Sequence, residues 1–182
     1  MFPETDDFKV EIKDQGFTSP DGNKYPKKAV LTFHSPETHE ESVVELGYLE
    51  EEQIFRIIHS GKPLILDHCY IDRLSLSGYR EKHGLDRKEV VQIRDFSVRS
   101  SFINSKTPLE FEYAEFTGEG ISFQETRFAS GSLNLHASRI MGGGMDFSDA
   151  HLASGPANFT NVIVEQGDVS FKNAVFGTGT KD

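Results

Sequence analysis

A mainly β chain, a parallel β-solenoid behind a small α/β N-terminal cap, is the fold class that these 182 residues predict, on three observations. From Leu109 the sequence divides into six units of twelve: LEFEYAEFTGEG, ISFQETRFASGS, LNLHASRIMGGG, MDFSDAHLASGP, ANFTNVIVEQGD and VSFKNAVFGTGT. Apolar residues fill the first, third, sixth and eighth places of these units, with Thr126 and Ser138 the two polar exceptions, and all eight Phe of the region stand in the third and eighth places. The eleventh place is Gly131, Gly143, Gly155, Gly167 and Gly179 in five of the six units. Apolar pairs two apart are strand periodicity, and both pairs face one interior only if the chain turns between them. Glycine accepts a left-handed corner without a Cβ penalty. Short strands joined by corners, with like residues stacked coil on coil, make a solenoid.

The elements follow in chain order. Phe8, Val10 and Ile12 alternate with Lys9, Glu11 and Lys13 as in a half-exposed strand. TSPDGNKYP has turn composition, Ala29–His34 reads as a second strand and Ser42–Leu46 as a third. A helix is expected over about residues 49–60: Glu50, Glu51 and Glu52 suit its N-terminus, Ile54, Phe55, Ile57 and Ile58 form its apolar face, and Gly61 and Pro63 end it. Residues 1–60 are thus expected to cap the open end of the repeat, shielding apolar core and unpaired strand edges. Residues 61–182 form the repeat region. Leu64, Leu66, Cys69 and Ile71 are its first inward residues, with Leu74 and Leu76 beginning the next side. The polar stretch at about 77–90 reads as a loop insertion, after which Val91, Ile93, Phe96, Val98, Ser101 and Ile103 restore the pattern.

Segments such as AEFTG, TRFAS, MDFSD and NAVFG resemble the pentapeptide-repeat family, in which a small or aliphatic residue and a Phe or Leu two places on recur every five residues. The resemblance covers about residues 61–180 and implies a right-handed β-helix. This chain departs from it in period, each unit being two pentapeptides plus a Gly-containing dipeptide. Twelve residues per coil would crowd four large side chains into about a third of the area that the family's longer coil encloses, which close-packed interiors do not absorb. Two units, 24 residues, per coil are therefore expected, with Phe111 stacked on Leu135 and Phe159, and Phe123 on Phe147 and Phe171.

Composition narrows the function. The net charge is −10, and the 19 Lys and Arg are not gathered into the basic footprint that phosphate binding needs, so direct nucleic-acid binding is not expected. Cys69 stands alone, which excludes a disulfide framework. There is no run of eighteen apolar residues, and the N-terminal MFPETDDF is acidic where a signal peptide is basic. A soluble, cytoplasmic chain without a membrane partner is the expectation. The seven His show no ligand spacing, so neither metal nor cofactor is expected. Cys69 occupies a small inward place and reads as a buried thiol, and Gly142–Gly144 read as a corner because no helix or Lys follows to make a phosphate cradle. Asp146 and Asp149, with His151 near, are the best catalytic candidates, outweighed by a structural reading.

The leading expectation is a non-enzymatic protein-interaction or scaffold module whose protein partner the sequence does not identify. A second reading uses the outward acids Glu110, Glu112, Glu115 and Glu119 to imitate DNA phosphates toward a DNA-processing enzyme such as a topoisomerase, because the family resembled includes gyrase-binding DNA mimics. A third is a polysaccharide-active β-helix protein, which would need a groove lined by aromatics and paired carboxylates. The sixth unit is as regular as the others and only Lys181 and Asp182 follow it. The expectation there is a homodimer through the C-terminal coil, with Val169, Phe171, Ala174 and Phe176 in the buried layer, or else a longer natural chain.

Overall fold

The computed structural model describes residues 2–3, 7–152 and 155–177. The N-terminal part comprises β1 (Phe8–Lys13), β2 (Phe17–Thr18), β3 (Lys24–Tyr25), β4 (Lys27–His34), β5 (Glu41–Tyr48) and α1 (Glu51–His59). There follow β6 (Pro63–Ile65), β7 (Cys69–Ile71), α2 (Leu76–His83), β8 (Val91–Ser97), β9 (Phe102–Asn104) and β10 (Leu109–Glu110). The repeats supply β11 (Ala114–Ser122), β12 (Arg127–Ser130), β13 (Leu133–Asn134), β14 (Arg139–Ile140) and β15 (Met145–Asp146). They continue with β16 (His151–Leu152), β17 (Ala157–Asn158), β18 (Ile163–Val164), β19 (Val169–Ser170) and β20 (Val175–Phe176). The chain is mainly β, and parallel pairing dominates from β7 onward.

Register fixes the stacking unit. Leu109 pairs with Leu133 and Leu133 with Ala157; Phe116 pairs with Ile140, Ile121 with Met145 and Phe128 with Leu152. Each step is 24 residues, as the area argument requires. The rings of Phe123 and Phe147 stack at 4.8 Å and 8°, and those of Phe147 and Phe171 at 5.3 Å and 17°. The strands lie in an eight-stranded sheet ordered β1-β4-β5-β7-β9-β12-β16-β20, a seven-stranded sheet, and the three-stranded β10-β13-β17. Between them lies the main core. Leu109, Phe111, Phe116, Phe123, Leu135 and Phe147 are all fully enclosed in it, as are Leu64, Leu66, Leu74 and Ile93 from the less regular coils. The two polar exceptions are satisfied: Thr126 Oγ1 donates to the Val98 carbonyl at 2.5 Å and Ser138 Oγ to that of Phe111 at 2.8 Å, each one coil back.

Corners occur twice per unit, and the one expected between the two apolar pairs is made by left-handed residues other than glycine. The fifth column, Tyr113, Glu125, Ala137, Asp149, Asn161 and Asn173, has φ between 53° and 58° throughout. Each residue is third in a four-residue turn closed by a bond such as Ala150 N–H to the Phe147 carbonyl, 3.1 Å, or Ser138 N–H to that of Leu135, 3.1 Å. The glycine column behaves as expected at Gly131, Gly143 and Gly167, where φ is positive; Gly155 has no positive φ, and Gly179 lies outside the described residues. Gly143 also lets neighbouring coils touch, because a Cβ there would sit 2.0 Å from the Glu119 carbonyl oxygen.

The second column closes the turns from outside. Asn134, Asp146 and Asn158 each accept, through Oδ1, the backbone N–H two residues on, at 3.0, 2.8 and 2.9 Å. Glu110 does the same with its longer side chain, at 2.8 Å from Glu112 N. These are Asx-type turns, so Asn158 is a turn-former although it faces water.

The N-terminal strands form as expected but sit differently from a lid. β5 pairs antiparallel with β4 and parallel with β7, so the cap strands continue one wall of the repeat. That wall then curls. Phe33 and Phe8 reach the outer face of β9, where their rings lie 5.6 and 5.0 Å from Phe102. Ala29, Leu31, Leu46 and Tyr70 complete this second, smaller core. The helix α1 seals the main core with Ile54, Phe55 and Ile58. Its N-terminus is closed by the Gln53 side chain, which accepts Glu50 N–H at 3.0 Å. Tyr25 locks cap to coil: its hydroxyl donates to the Asp67 carbonyl at 2.6 Å, and its ring fills the place that any Cβ on Gly47 would occupy.

The stretch expected as a loop at 77–90 begins as the helix α2. Ser75 Oγ accepts Gly78 N–H at 3.2 Å, and Gly84 ends the helix at φ 65°. Two carboxylates hold its start, Glu51 on Ser75 N–H at 3.1 Å and Glu110 on Ser77 N–H at 2.7 Å. Arg80 then plunges inward with only 1% exposure and donates to the carbonyls of Glu89 (2.7 Å), Glu112 (2.5 Å) and Tyr113 (3.4 Å).

Two stability outcomes follow. Phe147→Ala removes the middle ring of a stack and should lower unfolding free energy by about 3–5 kcal/mol in chemical denaturation. Ala137 carries a Cβ at φ 53°, so Ala137→Gly should raise stability by roughly 0.5–1 kcal/mol, the relief of left-handed strain exceeding glycine's entropic cost. A lower melting temperature for Ala137→Gly would show that the corner is not strained.

Candidate interaction surfaces and buried polar groups

The four acids singled out from the sequence do not share one face. Glu110 lies in β10 of the three-stranded sheet, is only 9% exposed, and is consumed by α2 and by its own turn. It is not outward-facing, because a helix start with free N–H groups sits against it. Glu112 accepts Asn134 Nδ2 at 2.7 Å and Glu115 accepts Gln92 Nε2 at 3.0 Å. Glu119 is exposed, and its N–H is held by Asp95 at 2.9 Å. Along the stack, Glu110 is followed by Asn134 and Asn158, and Glu115 by Arg139 and Ile163. Negative charge is therefore not propagated from coil to coil.

The catalytic candidates separate similarly. Asp146 is spent on Ser148 N–H, while Asp149 and His151 line a cleft of about 500 Å³ with Glu125, Arg127 and Asn173. Asp149 there accepts Asn173 Nδ2 at 3.0 Å, one rung of a polar ladder along the left-handed corners. Cys69 is fully buried, and burial pushes its thiol far above the ordinary range, so it holds no thiolate at neutral pH. Among the described residues, no three His, Cys, Asp or Glu side chains group as a metal site. No helix of the described residues is long and apolar enough to cross a membrane.

The two most deeply buried charged groups escaped sequence reasoning. Asp67, fully enclosed, accepts Ser97 Oγ at 2.5 Å, Arg99 N–H at 2.8 Å, and Arg99 Nε and Nη2 at 2.9 and 2.7 Å, tying the first coil to the second. Breaking one partner of such a pair leaves an uncompensated buried charge. Arg80 is the other, its guanidinium lying 6.0 Å from the Tyr113 ring centre and its pKa lowered by burial. Arg80 stands in a hydrophilic run whose periodicity marks no inward position. Asp67 stands next to the inward Leu66, and no rule of alternation buries it.

The residues expected in a buried C-terminal layer, Val169, Phe171, Ala174 and Phe176, lie in or beside the last two described strands, β19 and β20. In each inward column the first four members are buried and the fifth is half-buried, and in three of the four columns the sixth is open. Val169 is 45%, Phe171 42% and Phe176 45% exposed, while Ala174 is partly buried. Ile163 at 51% and Val175 at 50% extend the apolar area outside these columns. Strands β17, β18 and β20 each end a sheet, and β19 is the last partner of β15.

No protein-family model, curated protein or solved structure matches the chain.

One surface cluster makes a pH test. His59 of α1 and His83 of α2 stack at 4.6 Å and 6°, with the Tyr79 hydroxyl 3.3 Å from His59 Nδ1 and an ion pair between Lys82 and Glu52 beside them. Burial, then His59 and Lys82, lower the His83 pKa. The unfolded chain therefore takes up this proton first as pH falls. Stability from the His83 ring is present above about pH 6.5 and is lost as pH drops through that value toward the depressed native one. Melting temperature should fall more between about pH 7 and pH 5 in the native protein than in His83→Gln. Parallel curves would show that the stack is not titrating.

Proposed function

We propose that the parallel strands form a right-handed β-solenoid of pentapeptide-repeat type, working as a non-enzymatic protein-interaction module that joins a second copy of itself end to end. The 24-residue register and the Phe123–Phe147–Phe171 stack support the solenoid. The observation that carries the interaction reading is the layer of Val169, Phe171 and Phe176, each more than two-fifths exposed, on or beside the last strands of the sheets among the described residues. Open apolar layers and open edges are together what a self-association surface needs. The cytoplasm, where single free thiols such as Cys69 persist, suits the module.

The DNA-mimic reading is supported less, since it needs a continuous acidic stripe and Arg139 follows Glu115 in the stack. An enzymatic reading is supported less at Asp146, whose carboxylate is committed to a turn.

Sedimentation equilibrium at micromolar concentration should give a dimer, and Phe171→Glu with Phe176→Glu should give a monomer of nearly unchanged melting temperature, because both side chains are already half in water. A monomeric native protein at that concentration would overturn the end-to-end reading.

A further inference from the structure

The C-terminal ends of three hydrogen-bonded neighbours, β5, β7 and β9, bring Tyr48, Tyr70 and Asn104 to one edge of the wall. The chain leaves these ends for three destinations, α1, α2 and β10, and the connections diverge around a cleft of about 630 Å³. That volume is in the range of small-molecule sites. Register partners Tyr48 and Tyr70 hold their rings 6.2 Å apart at 37° along it. The Tyr48 hydroxyl donates to Asp72 Oδ2 at 3.1 Å, and Asn104 Nδ2 donates to the Tyr70 hydroxyl at 3.2 Å, its Oδ1 being held by Ser130 at 2.6 Å. Arg73 and Lys106 complete the polar lining.

The charges around the cleft nearly balance. Glu50 is paired with Lys27 at 2.8 Å, Glu52 with Lys82, and Glu51 accepts Ser75 N–H. A phosphate or carboxylate ligand is served by a net excess of cations and an ammonium ligand by a net excess of acids; with Glu50 and Glu52 paired, Glu51 and Asp72 are matched in number by Arg73 and Lys106, so this lining offers neither. It offers aromatic rings between donors and acceptors of both kinds. Burial and then the Asp72 charge hold the Tyr48 phenol up at about 12, and burial raises Tyr70, so both hydroxyls keep their protons at neutral pH. Hydroxyls that donate and accept at once, carried on a ring with an apolar C–H face, complement such a lining.

We propose that this cleft binds a short neutral oligosaccharide, a sugar ring packing against Tyr48, which Tyr70, only 6% exposed, backs from the wall, and its hydroxyls bonding Asp72, Asn104 and Arg73. The site is built by residues 48–107 and does not rest on end-to-end association.

The test uses the full chain with cellohexaose, maltohexaose, mannohexaose and xylohexaose, and with hexagalacturonate and choline as charged comparisons. The chain has no Trp, so emission from its five Tyr is read directly, beside amide shift mapping. Saturable binding of a neutral hexaose is expected, with shifts centred on Tyr48, Tyr70, Asp72 and Asn104. Asp72→Ala, at an exposed position, and Tyr48→Phe, which keeps the ring, should each weaken binding about tenfold without moving the melting temperature. Phe171→Glu should leave it unchanged. Absence of binding by all four neutral hexaoses up to about 10 mM, binding by hexagalacturonate or choline alone, shifts located elsewhere, or unaltered affinity in both variants would each overturn the proposal.

Discussion

Parallel pairing at a fixed 24-residue step is the constraint on which the repeat region depends. Once Leu109, Leu133 and Ala157 share a ladder, every residue lies over its counterpart one coil away, at the strand spacing of about 4.8 Å. An inward place is then inward in every coil, and a polar residue there must find a backbone partner of its own, as Thr126 and Ser138 do. The core contains aromatic rings in stacks and between stacks, such as Phe96 against Phe111 at 5.0 Å. Such a cross-section needs the perimeter of two units.

Corners turn this ladder into a folded path, and they draw heavily on the outward side chains. The fifth column supplies positive φ and the second supplies a turn acceptor, so two of the outward columns are structurally committed before any function is considered. Asp146 illustrates the consequence. Read as a lone acid it suggests chemistry; placed in a column with Asn134 and Asn158 it is one of three residues performing the same bond.

Inward residues were legible because apolar alternation reports burial directly, and the short coils before Leu109 obeyed the same rule. β1, β4, β5 and α1 were legible for the same reason, whereas the short pair β2 and β3 frames a segment read as a turn from its composition. Corner residues were half legible: glycine advertises positive φ, whereas Tyr113, Glu125 and Ala137 adopt it against their preference because the stack on either side dictates it. The helix α2 had its signals in the sequence, Ser75 before it and Gly84 after it, but its charged surface offered no apolar stripe to confirm them. What holds it is long-range: Glu110, 33 residues beyond Ser77, at its start, and Arg80 reaching carbonyls up to 33 residues away. No local pattern encodes contacts of that separation. The curl of β1 and β4 onto Phe102 is equally non-local, and it buries a Phe that alternation places outside the main core.

This division locates where ligand chemistry has room to appear. In the regular units a side chain that leaves its column role disturbs a turn or a stack, and the neighbouring coil inherits the disturbance. Where the period is interrupted, between the cap and the second coil, the chain supplies side chains that are not members of the twelve-residue columns. Tyr48 and Tyr70 belong there, as do Asp72, Asn104, the buried Asp67 with its partner Arg99, and Arg80. The interruptions carry the two most deeply buried charged side chains, Asp67 and Arg80, and the cleft of about 630 Å³, at the cost of a less regular register between β8 and β11, where pairing shifts between Thr117 and Ile121. Gly118 and Gly120, both at positive φ, absorb that shift. Regular coils thus act as a rigid support, while the variable chemistry gathers where the repeat begins.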